Sequence, residues 1–135
     1  MKEKHSVIMA LKHYRELEAF VARAVDQMYF YLDEGFKITS HVYSIEQARA
    51  DTTTILNHMD VMLGVYKDLC MEEGNERPYL IIMRKYVDPI AKGKSCTNEA
   101  LAEEFGVSVD TIERDIKRSF CRIRILFFGY HGIPS

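Results

Sequence analysis

The sequence of 135 residues predicts an all-α fold. Its long segments place apolar residues at intervals of three and four, which is the period of an amphipathic helix. Helix-start signals precede these segments and glycine or proline follows them. The one stretch with β-propensity, residues 36–43, is too isolated to form a sheet. We expect a long helical hairpin over residues 1–75, then a three-helix domain over residues 76–135.

Composition excludes several classes of protein. Hydrophobic residues make up 47% of the chain and charged residues 28%, with 7 Gly and 3 Pro, which excludes a disordered or collagen-like polymer. The longest apolar runs are far shorter than the roughly 20 residues that cross a bilayer. The first residues also lack the apolar core of a secretory signal. We therefore expect no membrane contact and a cytoplasmic location.

The sequence gives no sign of a metal, cofactor or catalytic site. The three cysteines are isolated, and the five histidines do not have the spacing of metal ligands. The expectation is that the cysteines have no required redox or metal role. No nucleophile motif or convergent carboxylate pattern is present, so we do not expect an enzyme.

The first periodic segment, Lys4 to Asp33, predicts one long amphipathic helix that ends before Gly35. Residues 36–43 are expected to form a connector. Ser44, followed three residues later by Gln47, matches a capping box and predicts that a second helix begins there.

The second helix carries a heptad pattern. Its apolar seam is Ile45, Ala48, Thr52, Ile55, Met59, Met62, Tyr66 and Leu69. At 1.5 Å per residue, residues 45–73 would extend about 43 Å, longer than a small core requires. Two such helices fold back as an antiparallel hairpin or pair with a second subunit, and we expect a homodimer through them.

Gly74-Asn75 predicts the end of the second helix, and Pro78 suits the first turn of a third. This third helix is expected over Tyr79–Val87, where Asp88-Pro89 stops it. A basic connector, residues 92–95, follows.

The segment after this connector has the pattern of a helix-turn-helix. Thr97 is predicted to cap a short helix whose inner side carries Leu101, Ala102 and Phe105. Gly106 permits a tight turn, and Ser108 caps a second helix with Ile112, Ile116, Phe120, Ile123 and Phe127 inward. A small residue at 102 lets two crossing helices approach, and Ile112 fills the angle between them.

Residues 100–116, Ala-Leu-Ala-Glu-Glu-Phe-Gly-Val-Ser-Val-Asp-Thr-Ile-Glu-Arg-Asp-Ile, resemble the helix-turn-helix of sigma-70 region 4. With residues 126–129, Leu-Phe-Phe-Gly, the segment is more similar to the ArpU/RinA-type transcriptional regulators of phages and integrated elements in Gram-positive bacteria. The match covers about residues 97–129. The resemblance implies promoter-linked DNA binding, with the second helix in the major groove, and contact with RNA polymerase.

Charge is distributed unevenly along the chain. Residues 1–75 hold 8 Lys/Arg against 12 Asp/Glu, whereas residues 76–135 hold 10 against 8, which favours an anion-binding C-terminal half. Lys117 and Arg118 suit phosphates, and Lys92 and Lys94 suit the DNA backbone beside the first helix of the motif. The candidate DNA-binding residues are Lys92, Lys94, Ser108, Asp110, Thr111, Glu113, Arg114, Lys117 and Arg118.

The early part of the last helix is the candidate for base recognition. Arg114 suits a guanine edge, Thr111 a thymine methyl group or a phosphate, and Glu113 a cytosine amino group. Three carboxylates, Asp110, Glu113 and Asp115, oppose DNA binding because they lower the local potential. The function expected from the sequence is a sequence-specific regulator that binds double-stranded DNA. The alternative is a protein-interaction adaptor on the same fold that does not bind DNA.

Overall fold

A computed structural model describes the backbone of residues 2–24, 26–28, 39–90 and 96–134, and the side chains of residues 6–24, 26–28, 44–90 and 96–134. Within these ranges the chain is helical and has no β-strand, so the predicted all-α class is confirmed. The helices are α1 (Lys2–Lys12), α2 (Tyr14–Ala19, continued by a π-helical turn, Phe20–Ala24), α3 (Thr39–Glu72), α4 (Arg77–Ile82, continued by a π-helical turn, Met83–Val87), α5 (Asn98–Phe105) and α6 (Val109–Phe128, followed by a 3₁₀ turn, Gly129–Gly132). None of the helices described here is both long enough and apolar enough to cross a membrane.

The helix predicted over residues 4–33 is interrupted at residue 13. His13 separates α1 from α2 because its φ of −108° and ψ of 21° lie outside the helical region. Val7, Leu11 and Tyr14 are buried across this break, so the bend preserves one apolar stripe facing the core. The predicted end of the helix at Asp33 lies outside the described residues.

The second helix begins earlier than predicted. α3 begins at Thr39, so Ser44 lies inside the helix and the predicted capping box is wrong. Residues 39–43 of the predicted connector are helical, and residues 36–38 lie outside the described ranges. Extending an existing helix adds one hydrogen bond per residue fixed, whereas a lone extended segment has no strand to pair with. This explains why local β-propensity did not decide the structure.

α3 ends where the sequence predicts. Gly74 has a φ of 75°, in the left-handed region that glycine adopts without a steric penalty. The N–H of Asn75 donates to the carbonyl of Cys70 at 2.9 Å, and that of Gly74 to the carbonyl of Met71 at 3.0 Å. These two bonds form a Schellman cap.

α4 begins at Arg77, two residues before the predicted start, with Pro78 in its first turn. It ends at Asp88, whose extended backbone (φ −62°, ψ 146°) precedes Pro89. Since proline disfavours a helical conformation in the residue before it, the predicted stop is confirmed and has a steric cause.

A side chain of α2 bonds the carbonyls at the C-terminal end of α4. Arg15 donates from Nε to the carbonyl of Asp88 at 2.7 Å. Its terminal nitrogens donate to the carbonyls of Lys85 at 2.8 Å and Arg84 at 2.9 Å. The last carbonyls of a helix have no intrahelical partner, so this guanidinium satisfies them from outside. Arg15 thereby attaches the N-terminal helices to the segment that precedes α5.

α6 lies at the centre of the molecule and packs against α1, α3, α4 and α5. One cluster of buried side chains contains residues from both sides of residue 75. Its members are Val7, Leu11, Tyr14, Leu56, Met59, Leu63, Tyr66, Cys70, Ile81, Ile82, Leu101, Ala102, Ile112, Ile116 and Ile123. The N-terminal and C-terminal halves therefore share a hydrophobic core.

The buried stripe of α3 differs from the predicted seam at every second position. Ile45, Met59 and Tyr66 are buried as predicted, but the positions that alternate with them are Leu56, Leu63 and Cys70 rather than Ile55, Met62 and Leu69. Both residues are apolar in each of the pairs 55/56, 62/63 and 69/70, so the period of the sequence alone allowed either residue of a pair to be the buried one. Packing against α6 buries the second residue of each pair and leaves Ile55 41% exposed.

Candidate nucleic-acid interface

Two capped helices and a short turn form the core of the candidate site. The Thr97 hydroxyl accepts a hydrogen bond from the backbone N–H of Ala100 at 3.2 Å and caps α5. Gly106 ends α5 with a φ of 65°. The Ser108 hydroxyl accepts from the backbone N–H of Thr111 at 3.1 Å and caps α6. Both caps and the left-handed glycine are as predicted.

Burial of Ala102 and Ile112 fixes how α6 crosses α5. Ile112 is fully buried, and Ala102 retains only 8% of its surface. The N–H of Val107 donates to the Ala102 carbonyl at 3.0 Å and holds the turn against α5. With Ile112, Ile116 and Ile123 facing inward, as predicted, the early solvent-facing positions of α6 form a polar surface.

A groove of about 680 Å³ runs along one side of this polar surface. The groove is formed by the C-terminal end of α4, the first residue of α5 and the first half of α6. Its lining side chains are Lys85, Tyr86, Asn98, Asp110, Glu113, Arg114, Ile116, Lys117 and Phe120. Tyr86 and Phe120 form an aromatic wall, with ring centroids 5.9 Å apart. Arg114 and Lys117 are exposed, and neither forms an ion pair within the described part of the chain. Four of the predicted residues, at positions 110, 113, 114 and 117, thus meet at one groove.

Lys85 is held at the groove by polar contacts. Its Nζ donates to Oδ1 of Asn98 at 2.6 Å and to the carbonyl of Cys96 at 3.4 Å. Burial lowers the pKa of Lys85, since desolvation disfavours the charged form. Asn98 is the first residue of α5, so Lys85 links the end of α4 to the start of the short helix.

Arg118 follows Arg114 by one turn of α6 and lies near Glu73, at the end of α3. A hydrogen bond from Arg122 is the main cause that lowers the pKa of Glu73, and the charge of Arg118 adds to it. Arg122 binds both carboxylate oxygens of Glu73, at 2.7 and 2.9 Å, and lies 5.4 Å from the centroid of the Tyr66 ring. Arg118 is exposed but does not line the groove, so Arg114 and Lys117 are the predicted cations of α6 that meet there.

Asp115 does not belong to the exposed acidic group that the sequence suggested. It is 7% exposed, and its Oδ2 accepts a hydrogen bond from Arg77 Nε at 2.7 Å. Because this carboxylate is buried and paired, the expectation that it lowers the surface potential beside Asp110 and Glu113 is wrong. Only Asp110 and Glu113 of the three acids reach the groove.

The remaining predicted residues have separate placements. Ser108 is exposed at the start of α6, and its hydroxyl lies 3.0 Å from that of Thr111. Thr111 is half-buried, and this contact engages its hydroxyl at the cap. Lys92 and Lys94 lie outside the described residues.

Sequence reasoning missed several side chains of the groove. Lys85 and Tyr86 carried a signal, since they belong to the basic Arg84-Lys85-Tyr86 end of the third helix. Asn98 and Phe120 were assigned only to a helix start and an inner face. Phe120 is partly exposed and lines the groove, which the period of α6 alone does not reveal.

Among the described residues, no group of three or more His, Cys, Asp or Glu side chains is arranged to hold a metal ion. The three cysteines are unpaired: Cys70 is buried in the core, and Cys96 and Cys121 are half-buried. The Cys96 thiol donates to the carbonyl of Arg84 at 3.3 Å. The surroundings of Cys96 thus fit a role in packing.

No protein-family model, no curated protein and no solved structure matches this chain.

Proposed function

We propose that the protein is a sequence-specific regulator of transcription that binds double-stranded DNA through α6. The observation that carries the proposal is the exposed pair Arg114 and Lys117, which follows a capped tight turn and has no carboxylate partner in the described residues. A helix entering the major groove presents its early outward side chains to base edges, and phosphate contacts fix its position.

The proposed organisation is a helical hairpin over residues 1–75 and a helix-turn-helix domain over residues 76–135. In this arrangement Arg114 binds a guanine edge through its two-pronged guanidinium, while Lys117 and Arg118 bind phosphates. Glu113 accepts from a cytosine amino group. Asp110 and Glu113 repel phosphates, which restricts tight binding to duplexes whose base contacts offset the repulsion.

The partners proposed with this function are a DNA duplex, a second copy of the chain through α3 and, on the resemblance to sigma-70 region 4, RNA polymerase. The resemblance to ArpU/RinA-type regulators favours phage or mobile-element genes as targets. A DNA-binding regulator of this kind acts in the cytoplasm, at the nucleoid.

Selection of bound duplexes from a random pool tests the proposal directly. We expect enrichment of one motif and an affinity that falls linearly with the logarithm of the salt concentration. The matched control is the same selection with Arg114→Ala and Lys117→Ala combined. A pool that shows no enrichment, together with no salt-dependent binding of any duplex, would reject DNA binding.

An adaptor that binds proteins instead of DNA is the second candidate function. It is favoured by a separate cavity of about 500 Å³, lined mainly by apolar side chains of α1, α2, α3 and the end of α6. Val61, 59% exposed, and Val65, 38% exposed, add apolar surface on α3. An adaptor should lose partner binding on Ile55→Asp and keep it when Arg114 and Lys117 are changed.

A further inference from the structure

We propose that Lys12, on the first helix and outside the helix-turn-helix, binds a DNA backbone phosphate beside the groove. This inference rests on the proposed function. It assigns part of the DNA surface to the N-terminal half of the chain, which carries net negative charge.

The position of Lys12 is the first reason. Its Nζ lies 5.4 Å from the centroid of the Phe120 ring, and Phe120 lines the groove with Arg114 and Lys117. Lys12 is exposed and forms no ion pair within the residues that the structure describes. An ammonium beside an aromatic ring keeps its charge and its remaining N–H donors, so it is able to bind an oxygen anion.

The arrangement of charge around the aromatic wall is the second reason. Lys85 Nζ lies 6.0 Å from the centroid of the Tyr86 ring, and the Tyr86 and Phe120 rings are tilted by 38° with their centroids 5.9 Å apart. An ammonium therefore lies at each end of this wall, one from α4 and one from α1. Lys85 is already hydrogen-bonded to Asn98, whereas Lys12 has no comparable partner among the described residues. The groove's two carboxylates, Asp110 and Glu113, belong to the early turns of α6, before Phe120 in the chain.

The third reason is that the fold holds α1 in a defined register on α6. Val7 and Ala10 line a cavity together with Phe127, while Lys12 lies at Phe120, so the two helices run in opposite directions. Arg15, three residues after Lys12, donates hydrogen bonds to carbonyls at the end of α4. Lys12 is thus positioned by packing on one side and by hydrogen bonds on the other.

The experiment compares Lys12→Gln, Lys12→Arg and Lys67→Gln on the selected duplex and on an unrelated one. Lys67 is the matched control because it is also exposed and also lies over an aromatic ring, 6.0 Å from the centroid of Tyr79, but does not line the groove. Fluorescence anisotropy over a range of salt concentrations gives the affinity and its salt slope for each protein.

We expect K12Q to weaken binding to both duplexes by the same factor and to reduce the salt slope by about 0.9, which corresponds to one phosphate contact. The factor by which K12Q binds more weakly than wild type should therefore fall roughly threefold between about 50 and 200 mM salt. K12R should retain the wild-type slope, and K67Q should leave affinity and slope unchanged.

Replacing single phosphates of the selected duplex by neutral methylphosphonate locates the contact. One position should weaken the wild type and leave K12Q unaffected, a coupling that loss of folding does not produce. Equal behaviour of K12Q and K67Q, or the absence of such a position, would overturn the inference while leaving the proposed function intact. If the wild type binds no duplex, the proposed function fails and the inference fails with it.

Discussion

Asp115 shows how one buried side chain changes the electrostatics of a surface. Counted along the sequence, it is one of three acids beside five cations on the last helix. In the structure its carboxylate faces the protein and binds Arg77, so its charge is compensated inside. The groove is left with two acids, Asp110 and Glu113, against Lys85, Arg114 and Lys117. Asp115 therefore adds no uncompensated negative charge to the groove, where three cations face two acids.

Arg114 and Lys117 should give different results when changed to alanine. Arg114→Ala is expected to cost about 1–3 kcal/mol at the selected site and to relax preference at one base pair, because a bidentate contact to a base edge is lost. Lys117→Ala should weaken binding equally on all sequences and reduce the salt slope by about one unit. Competition binding against single-base variants of the site distinguishes them. Uniform loss for both variants would mean that α6 is oriented differently on DNA.

The hydroxyl pair Tyr66–Ser119 gives a prediction about pH. The two oxygens are 2.6 Å apart in the core, and burial raises the pKa of Tyr66 to about 12. A phenol whose pKa is higher in the folded state stabilises the fold below its unfolded value of about 10. This contribution is lost as the pH rises from about 10 to 12.

Tyr66→Phe should therefore lower the free energy of unfolding by about 1–3 kcal/mol at pH 8, because Ser119 loses its buried partner. The difference from wild type should shrink at pH 10.5 and above, where only the wild type has this tyrosine to ionise. Urea unfolding at the two pH values measures both effects. Tyr130→Phe is the control, since Tyr130 is 83% exposed. A difference that grows with pH would contradict the assignment.

At the scale of elements, end signals were predicted better than starts. Gly74, Pro89 and Gly106 each impose a local conformation through sterics, and the helices end at or beside them in the structure. Thr97 and Ser108 also cap the helices that they precede. These features depend on a few neighbouring residues, so a single sequence contains enough information to predict them.

The failures at this scale depend on contacts between distant residues. Ser44 has the pattern of a cap, but α3 continues through it to Thr39. The frame of the α3 stripe depends on which of two adjacent apolar residues contacts α6, and Lys12 approaches Phe120 across more than a hundred residues. No pattern in the sequence encodes these distances, so part of the candidate groove was missed.

The side chain of Arg15 joins α2 to the end of α4, and its loss should weaken the packing between these two helices. Arg15→Met removes three hydrogen bonds to the end of α4 and keeps the aliphatic length of the side chain. We expect a loss of about 2–3 kcal/mol, given roughly 1 kcal/mol for each bond. Chemical unfolding measures the loss.

Hydrogen exchange should locate the effect of Arg15→Met, with faster exchange in α2 and α4 than in α6. Arg23→Met is the control, because Arg23 is exposed in the π-helical turn that continues α2, and its replacement removes the same charge. If both variants have the same stability, the three bonds contribute nothing.

At the scale of the molecule, α6 has two roles. Its inner side holds residues from both halves of the chain in one core, and its outer side carries the cations of the groove. On the proposed function, we therefore expect a substitution on the inner side to affect stability and DNA binding together, and one on the outer side to affect binding alone. Variants for functional tests should be taken from the outer side.

The assembly of the whole protein depends on the apolar surface that α3 leaves uncovered. Ile55, Val61 and Val65 are 41%, 59% and 38% exposed. Burying such side chains contributes about 25 cal/mol per Å² of apolar area, which favours association of a second copy along this helix. The expected dimer therefore uses exposed side chains of α3, and not the buried stripe itself.

Two aspartate substitutions separate assembly from folding. Ile55→Asp should produce a folded monomer, because an exposed carboxylate at a dimer contact prevents its burial without disturbing the core. Met59→Asp should unfold the chain, since Met59 is 1% exposed and a carboxylate at this position would be buried without solvation. Sedimentation velocity at micromolar concentrations, with circular dichroism for helicity, distinguishes the two outcomes. A wild type that is monomeric throughout this range rules out the dimer, and unfolding on Ile55→Asp would mean that this position belongs to the core.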